Sequence, residues 1–273
     1  MSKKLKKYAP LILIVIIFSI VSYITGVYSF YYKIFPFSPS SKVDPEKNLI
    51  KSAFHDLKIK KYNLPILDKY GGIENLDNKI LFISGDGQSF YFDEEEVQFK
   101  KMMKFDLKIN KDIFIKKYEK DFGKLKLQRR FGIKDIYIND FQNNKFLFLS
   151  SIFYNIEKDC YNLSLFSSNI ISEKNFNFHK PKKIFETKDC LKIENNEPTS
   201  INYKLGRNFA PTSASGRIAK FDENHILLTV GDFLYDGVNS KNLVQDLGND
   251  YGKILKINIF DFTYKIFSLG HRN

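Results

Sequence analysis

Apolar and polar positions along the chain change rhythm twice. Residues 9–32 carry no charged side chain, and Leu11–Ile20 are almost entirely Leu, Ile and Val with one Phe. At about 1.5 Å per helical residue, a run of this length spans a hydrocarbon core of about 30 Å. Lys3, Lys4, Lys6 and Lys7 precede it, and Tyr28, Phe30, Tyr31, Tyr32 and Lys33 follow it, the order expected of a cytoplasmic basic flank and an interfacial aromatic belt. The small-x-small pattern of a cleavable signal is poor, so the reading is an uncleaved anchor. The pattern predicts a cytoplasmic tail over 1–8, a transmembrane helix over 9–32 and an extended linker over 33–42, where Pro36, Pro39 and three serines break any helix. It places the chain in the cell membrane as a single-pass protein, N-terminus cytoplasmic and main domain periplasmic or extracellular.

From residue 79 short runs of Ile, Phe, Tyr, Leu and Val alternate with Gly, Asn and Asp, the signature of strands and turns. Lys79–Ser84, the turn Gly85-Asp-Gly87 and Gln88–Phe92 read as a hairpin. Further strands are expected at Asp135–Ile138, Lys145–Phe153, Tyr161–Ser167, Lys183–Glu186, Ser215–Phe221, Ile226–Val230, Lys253–Ile257 and Phe262–Ser268. Asn110–Gly123 differs: Ile113, Phe114, Ile115, Tyr118 and Phe122 stand among charges, fitting a helix or an irregular excursion. The expected class is all-β, with a sandwich, a barrel and a propeller open as architectures.

The net charge of +12 invites a nucleic-acid reading at Lys58–Lys61 and Lys180–Lys183, but a domain outside the cytoplasm does not meet nucleic acid. These lysines read as solvated turns attracted to anionic lipid. Cys160 and Cys190 are disulfide candidates in an oxidising compartment. Two free buried thiols are the alternative, and a metal site needs more ligands.

The last sixty residues hold Gly216-Arg-Ile, Thr229-Val-Gly-Asp232, Gly252-Lys-Ile-Leu-Lys-Ile and Gly270-His-Arg-Asn273 in that order. Together they resemble the glucose/sorbosone dehydrogenase family, whose members are six-bladed β-propellers that bind pyrroloquinoline quinone (PQQ) with calcium at the mouth of the central channel. Gly71-Gly-Ile followed by the hairpin is similar to a first blade. The resemblance implies an incomplete propeller of about three blades over 43–273, oxidising a sugar hydroxyl, with a second chain as the partner that would complete the ring. It implies quinone contacts from Arg272 and Asn273 and a supporting carboxylate from Asp232. The position of the family's histidine base is Ser213 here, and a serine hydroxyl is too weak a base to replace imidazole near neutral pH. The family's later blades, with their calcium ligands, would lie beyond Asn273. A propeller-derived module that binds carbohydrate or protein without catalysis is the competing expectation. Each motif residue also has a structural reading: Gly216-Arg217 and Gly252-Lys253 as turn and strand-edge features, Asp232 as a turn cap, His271 as a loop brace and His225 as a solvated loop residue.

Overall fold

A computed structural model describes residues 15–25, 46–51, 56–61, 70–76, 78–124, 127–128, 131–141, 144–172, 177–193, 213–235 and 242–269. Residues 15–25 form helix α1. Among the described residues no helix is long and apolar enough to cross a membrane. That finding corrects the single-pass localisation expected from the apolar run 9–32, of which residues 15–25 are described.

The chain divides into two compact units, Met1–Ile66 with Glu96–Phe99, and Leu67–Glu95 with Lys100–Asn273. The first contains an antiparallel hairpin of β1 (Glu46–Lys51) and β2 (Asp56–Lys61).

The second unit is built from antiparallel sheets in which neighbours in sequence are neighbours in space. Sheet 1 runs β3 (Gly71–Leu76), β4 (Lys79–Ser84), β5 (Ser89–Asp93) and, of β6 (Gln98–Lys101), the residues Lys100 and Lys101 that belong to this unit. Sheet 2 runs β7 (Ile133–Phe141), β8 (Asn144–Asn155), β9 (Cys160–Ser172), and β9 then pairs with both β10 (Asn177–Phe178) and β11 (Lys182–Glu186). Sheet 3 runs β12 (Ser215–Lys220), β13 (His225–Val230), β14 (Lys253–Asn258), β15 (Tyr264–Leu269). The fold is all-β, and every strand expected from the sequence lies within one of these or overlaps it.

Burial explains the layering. In β13 Ile226, Leu228 and Val230 are buried while the residues between them are half-buried, the period-2 pattern of a sheet with one core face. Strands β8 and β9 are buried on both faces. Leu147, Leu149 and Phe166 join a cluster with Leu81, Ile83 and Tyr91 of sheet 1, whereas Phe148, Ile152, Leu163 and Leu165 join one with Leu228, Leu255 and Ile257 of sheet 3. Sheet 2 is therefore the middle layer, which is why its sequence reads as continuous apolar runs. Truncating one of these leucines to Ala would cost about 2–5 kcal/mol.

The ambiguous segment forms helix α2 (Lys111–Phe122). Phe114, Ile115 and Tyr118 are its buried stripe, and the Phe114 ring packs on Phe131 and Tyr154 with centroids at 4.8 and 5.1 Å. Gly123, at φ 80°, ends the helix and donates its N–H to the Glu119 carbonyl, the usual role of a glycine that can turn left-handed.

The first strands of the three sheets lie side by side, β3 next to β7 and β12 next to β7 and β8. Because each sheet is a meander, the loops after second strands and the connections into first strands all fall at one end. Among the described residues these are 85–88, 102–124, 127–128, 131–132, 156–159, 187–193, 213–214, 231–235 and 242–252.

Candidate functional site

Ser213 and Asp232 meet at that end, where β12 begins and β13 finishes. Gly231 donates its N–H to the Ala214 carbonyl at 2.9 Å, and Phe233 donates to the Ser213 carbonyl at 3.3 Å. The backbones are so close that a Cβ on Gly231 would sit 1.8 Å from the Ser213 oxygen, which accounts for the glycine. Asp232 Oδ1 accepts the Leu234 N–H at 2.8 Å, and its carbonyl accepts the Tyr235 N–H. The carboxylate thus closes a tight turn. The Ser213 backbone thus lies against Gly231 and Phe233, the residues on either side of Asp232. Arg272 and Asn273, with His271, lie outside the described residues.

The other motif residues hold sheets and loops together. Gly216, at φ 102°, presents a carbonyl that accepts the Ser150 hydroxyl at 2.5 Å, linking sheet 3 to sheet 2. Thr229 Oγ1 accepts the Arg217 N–H at 2.9 Å and lies 2.6 Å from Ser215 Oγ. Lys253 is fully buried, and its ammonium donates to the Tyr251 carbonyl at 2.8 Å and to the Leu243 carbonyl and Asn249 Oδ1 at 3.2 Å each. A charge can be buried when carbonyl dipoles replace its water, and here it staples loop 243–252. Burial holds the Lys253 amine below the ordinary lysine range. His225 opens β13 with Nδ1 2.7 Å from Asp222 Oδ1, so it is a strand residue with a carboxylate partner and not a solvated loop residue.

Sequence reasoning missed the cluster where the first strands meet. Asp135 is buried in β7. Its Oδ1 accepts Arg217 Nη1 at 2.9 Å and its Oδ2 accepts the Ile218 N–H at 2.9 Å. Burial pushes its carboxyl above the ordinary value against the pull of those two donors and the Ile136 N–H. Glu74 of β3 is pushed up to about 7 by burial and then by the charge of Asp135. Two carboxyls in one partly dehydrated seam hold their protons more tightly than either would alone. The available signal was an aspartate opening the expected strand Asp135–Ile138, whose other residues, Ile136, Tyr137 and Ile138, read as core.

Cys160 and Cys190 are joined in a disulfide with Cα atoms 5.4 Å apart. Reciprocal 2.8 Å backbone hydrogen bonds between Tyr161 and Leu191 hold the two segments together. Tyr235 Oη donates to the Lys192 carbonyl at 3.1 Å, tying the bridge region to the Asp232 turn.

Of the residues that the resemblance implies for quinone oxidation, Ser213 supplies no imidazole and the Asp232 carboxylate caps its own turn; among the described residues the one arginine, Arg217, pairs with Asp135, and Arg272 and Asn273 lie outside them. No protein-family model matches the chain, and no curated protein does either.

Proposed function

We propose that the chain contributes three blades of a β-propeller similar to the glucose/sorbosone dehydrogenases and binds carbohydrate at the loop end of those blades without oxidising it. Ser213 carries the reading. It occupies the place of the family's base, its backbone locked against Gly231 and with Asp232 next along the chain, so the frame of the site is kept while the imidazole is not. The side-by-side first strands β3, β7 and β12, each opening a meander, support the blade arrangement. The conversion of Gly216-Arg217, Thr229 and Gly252-Lys253 to seam and loop contacts supports a scaffold role for the motif.

PQQ with calcium is the cofactor pair that the resemblance implies, and the test uses it directly. Purified chain mixed with PQQ, calcium and an aldose should reduce no redox dye, and Ser213→His should not restore reduction. Quinone-dependent dye reduction by the unaltered chain would overturn the non-oxidising half of the proposal.

A further inference from the structure

A cavity of about 840 Å³ opens at the same end of the sheets, between the Gly85–Gly87 turn, the segment 104–113 and the start of α2. We propose that it holds a neutral polyhydroxylated ring, a pyranose or the terminal unit of an oligosaccharide. This rests on the carbohydrate-binding reading above and assigns its site. The volume falls in the range of about 300–1,000 Å³ typical of small-molecule sites.

The lining selects the ligand class by charge. Lys104, Lys108 and Lys111 line the cavity together with Asp86, Asp106 and Asp112, and Lys108 and Asp106 are paired with each other at 2.5 Å, so the wall is balanced in charge. An anion would meet three carboxylates and a cation three ammonium groups, whereas a neutral polyol finds donors and acceptors on every side. Burial alone would raise the Asp86 carboxyl, but Ser84, Gln88 and Lys104 hold it below the ordinary value; its Oδ1 accepts the Ser84 hydroxyl and the Gln88 N–H and its Oδ2 accepts the Gln88 amide at 3.0 Å, leaving about one of its four acceptor positions for a ligand. Asn110 and Gln128 add amides to the wall. Ile113, 48% exposed on the first turn of α2, is the apolar surface on which the C–H face of a sugar ring can rest.

The walls are fixed before any ligand arrives. Phe105 donates its N–H to the Gly87 carbonyl at 2.9 Å and Ile133 donates to the Gly85 carbonyl at 3.0 Å. Asn110 Nδ2 donates to the Tyr154 carbonyl at 2.8 Å, and Tyr154 returns its N–H to the Ile109 carbonyl. Lys108 and Asn110 both take positive φ, 52° and 60°, so the segment is bent around the cavity and pinned to the β8 end of sheet 2. Such preorganisation reduces the ordering cost of binding.

Titration calorimetry of the full chain with glucose, galactose and maltose tests the assignment, using Lys104→Met, Asp112→Ala and Ile113→Trp, with Lys265→Met on β15 as the remote control. Each cavity variant should bind the preferred sugar about tenfold more weakly or worse, the loss of one charged hydrogen bond or of the open volume. Thermal midpoints and binding by Lys265→Met should stay unchanged. Binding by the unaltered chain that all three variants retain would place the sugar elsewhere, overturning this assignment and leaving the proposed function standing. Absence of binding by the unaltered chain at millimolar sugar would overturn both. Tighter binding of inorganic phosphate or citrate than of any neutral sugar would overturn the ligand class.

Discussion

Glu74→Gln isolates the carboxyl pair at the meeting of the first strands. Glu74 is pushed up to about 7 from an ordinary 4.5, an interval worth about 3.4 kcal/mol at about 1.36 kcal/mol per pH unit. The side chain is half-buried, and solvent screening reduces the figure to about 1–2 kcal/mol. Since the carboxyl binds its proton more tightly in the folded chain, its contribution is fully present below pH 4.5. It is lost as pH rises through about 7. The neutral amide removes that loss. The charged and titratable groups facing Glu74 are Asp135, which raises it, Tyr137, which Glu74 itself pushes upward, and Arg217 through Asp135. The variant should match the unaltered chain within about 0.5 kcal/mol at pH 4 and exceed it by about 1–2 kcal/mol at pH 8.5. That gain appears as about 3–6 °C in thermal midpoint for a domain of this size. Thermal unfolding followed by circular dichroism at both pH values gives the difference directly. A variant less stable than the parent at pH 8.5, or an equal difference at the two pH values, would refute the reasoning.

Asp135→Ala should cost about 2–3 kcal/mol because it leaves the buried Ile218 N–H without an acceptor. Arg217→Ala should cost under about 1 kcal/mol, since the guanidinium is 77% exposed and the pair is screened; equal losses in urea unfolding would contradict this account of the seam. Cys190→Ser opens a crosslink spanning 30 residues and should cost about 3–4 kcal/mol in the chain-entropy model, measured as the urea midpoint of the variant against the oxidised parent. Gly231→Ala places a Cβ 1.8 Å from the Ser213 carbonyl oxygen and should cost about 1–3 kcal/mol by overpacking; a thermal midpoint equal to the parent's would show that Ser213 and Gly231 are not in contact.

How legible the fold was depended on how much of each strand's identity came from its own side chains. Strands β8 and β9 read clearly because both faces are core. Strand β3, Gly71-Gly-Ile-Glu-Asn-Leu76, offers no alternation. Its glycines are explained only by neighbours: a Cβ on Gly71 would strike the Ile83 carbonyl, and one on Gly72 would strike Ile136. Helix α2 was ambiguous because Ile113, Phe114 and Ile115 are contiguous, and tertiary packing buries Phe114 and Ile115 while leaving Ile113 exposed. At the site, Ser213 and the Gly231–Phe233 turn are neighbours because they flank the adjacent strands β12 and β13. The motif could not reveal that Arg217 spends its charge on Asp135, eighty-two residues away, or that Lys253 is consumed by its own loop. The cavity at Gly85–Ile133 was not legible, since its wall comes from a connection in which Lys108 turns left-handed without a local sequence signal, and Asn110, a residue type that tolerates that conformation, does not by itself mark a wall.

Hydrogen–deuterium exchange of the purified chain with and without a saturating neutral aldose tests the central claim most directly, because it asks where along the three sheets a sugar acts. Protection is expected at residues 84–88 and 104–115, at the end carrying the 231–235 turn, with the opposite turns 221–224 and 259–263 unchanged. Protection confined to those opposite turns, or no change anywhere, would contradict carbohydrate binding at the loop end.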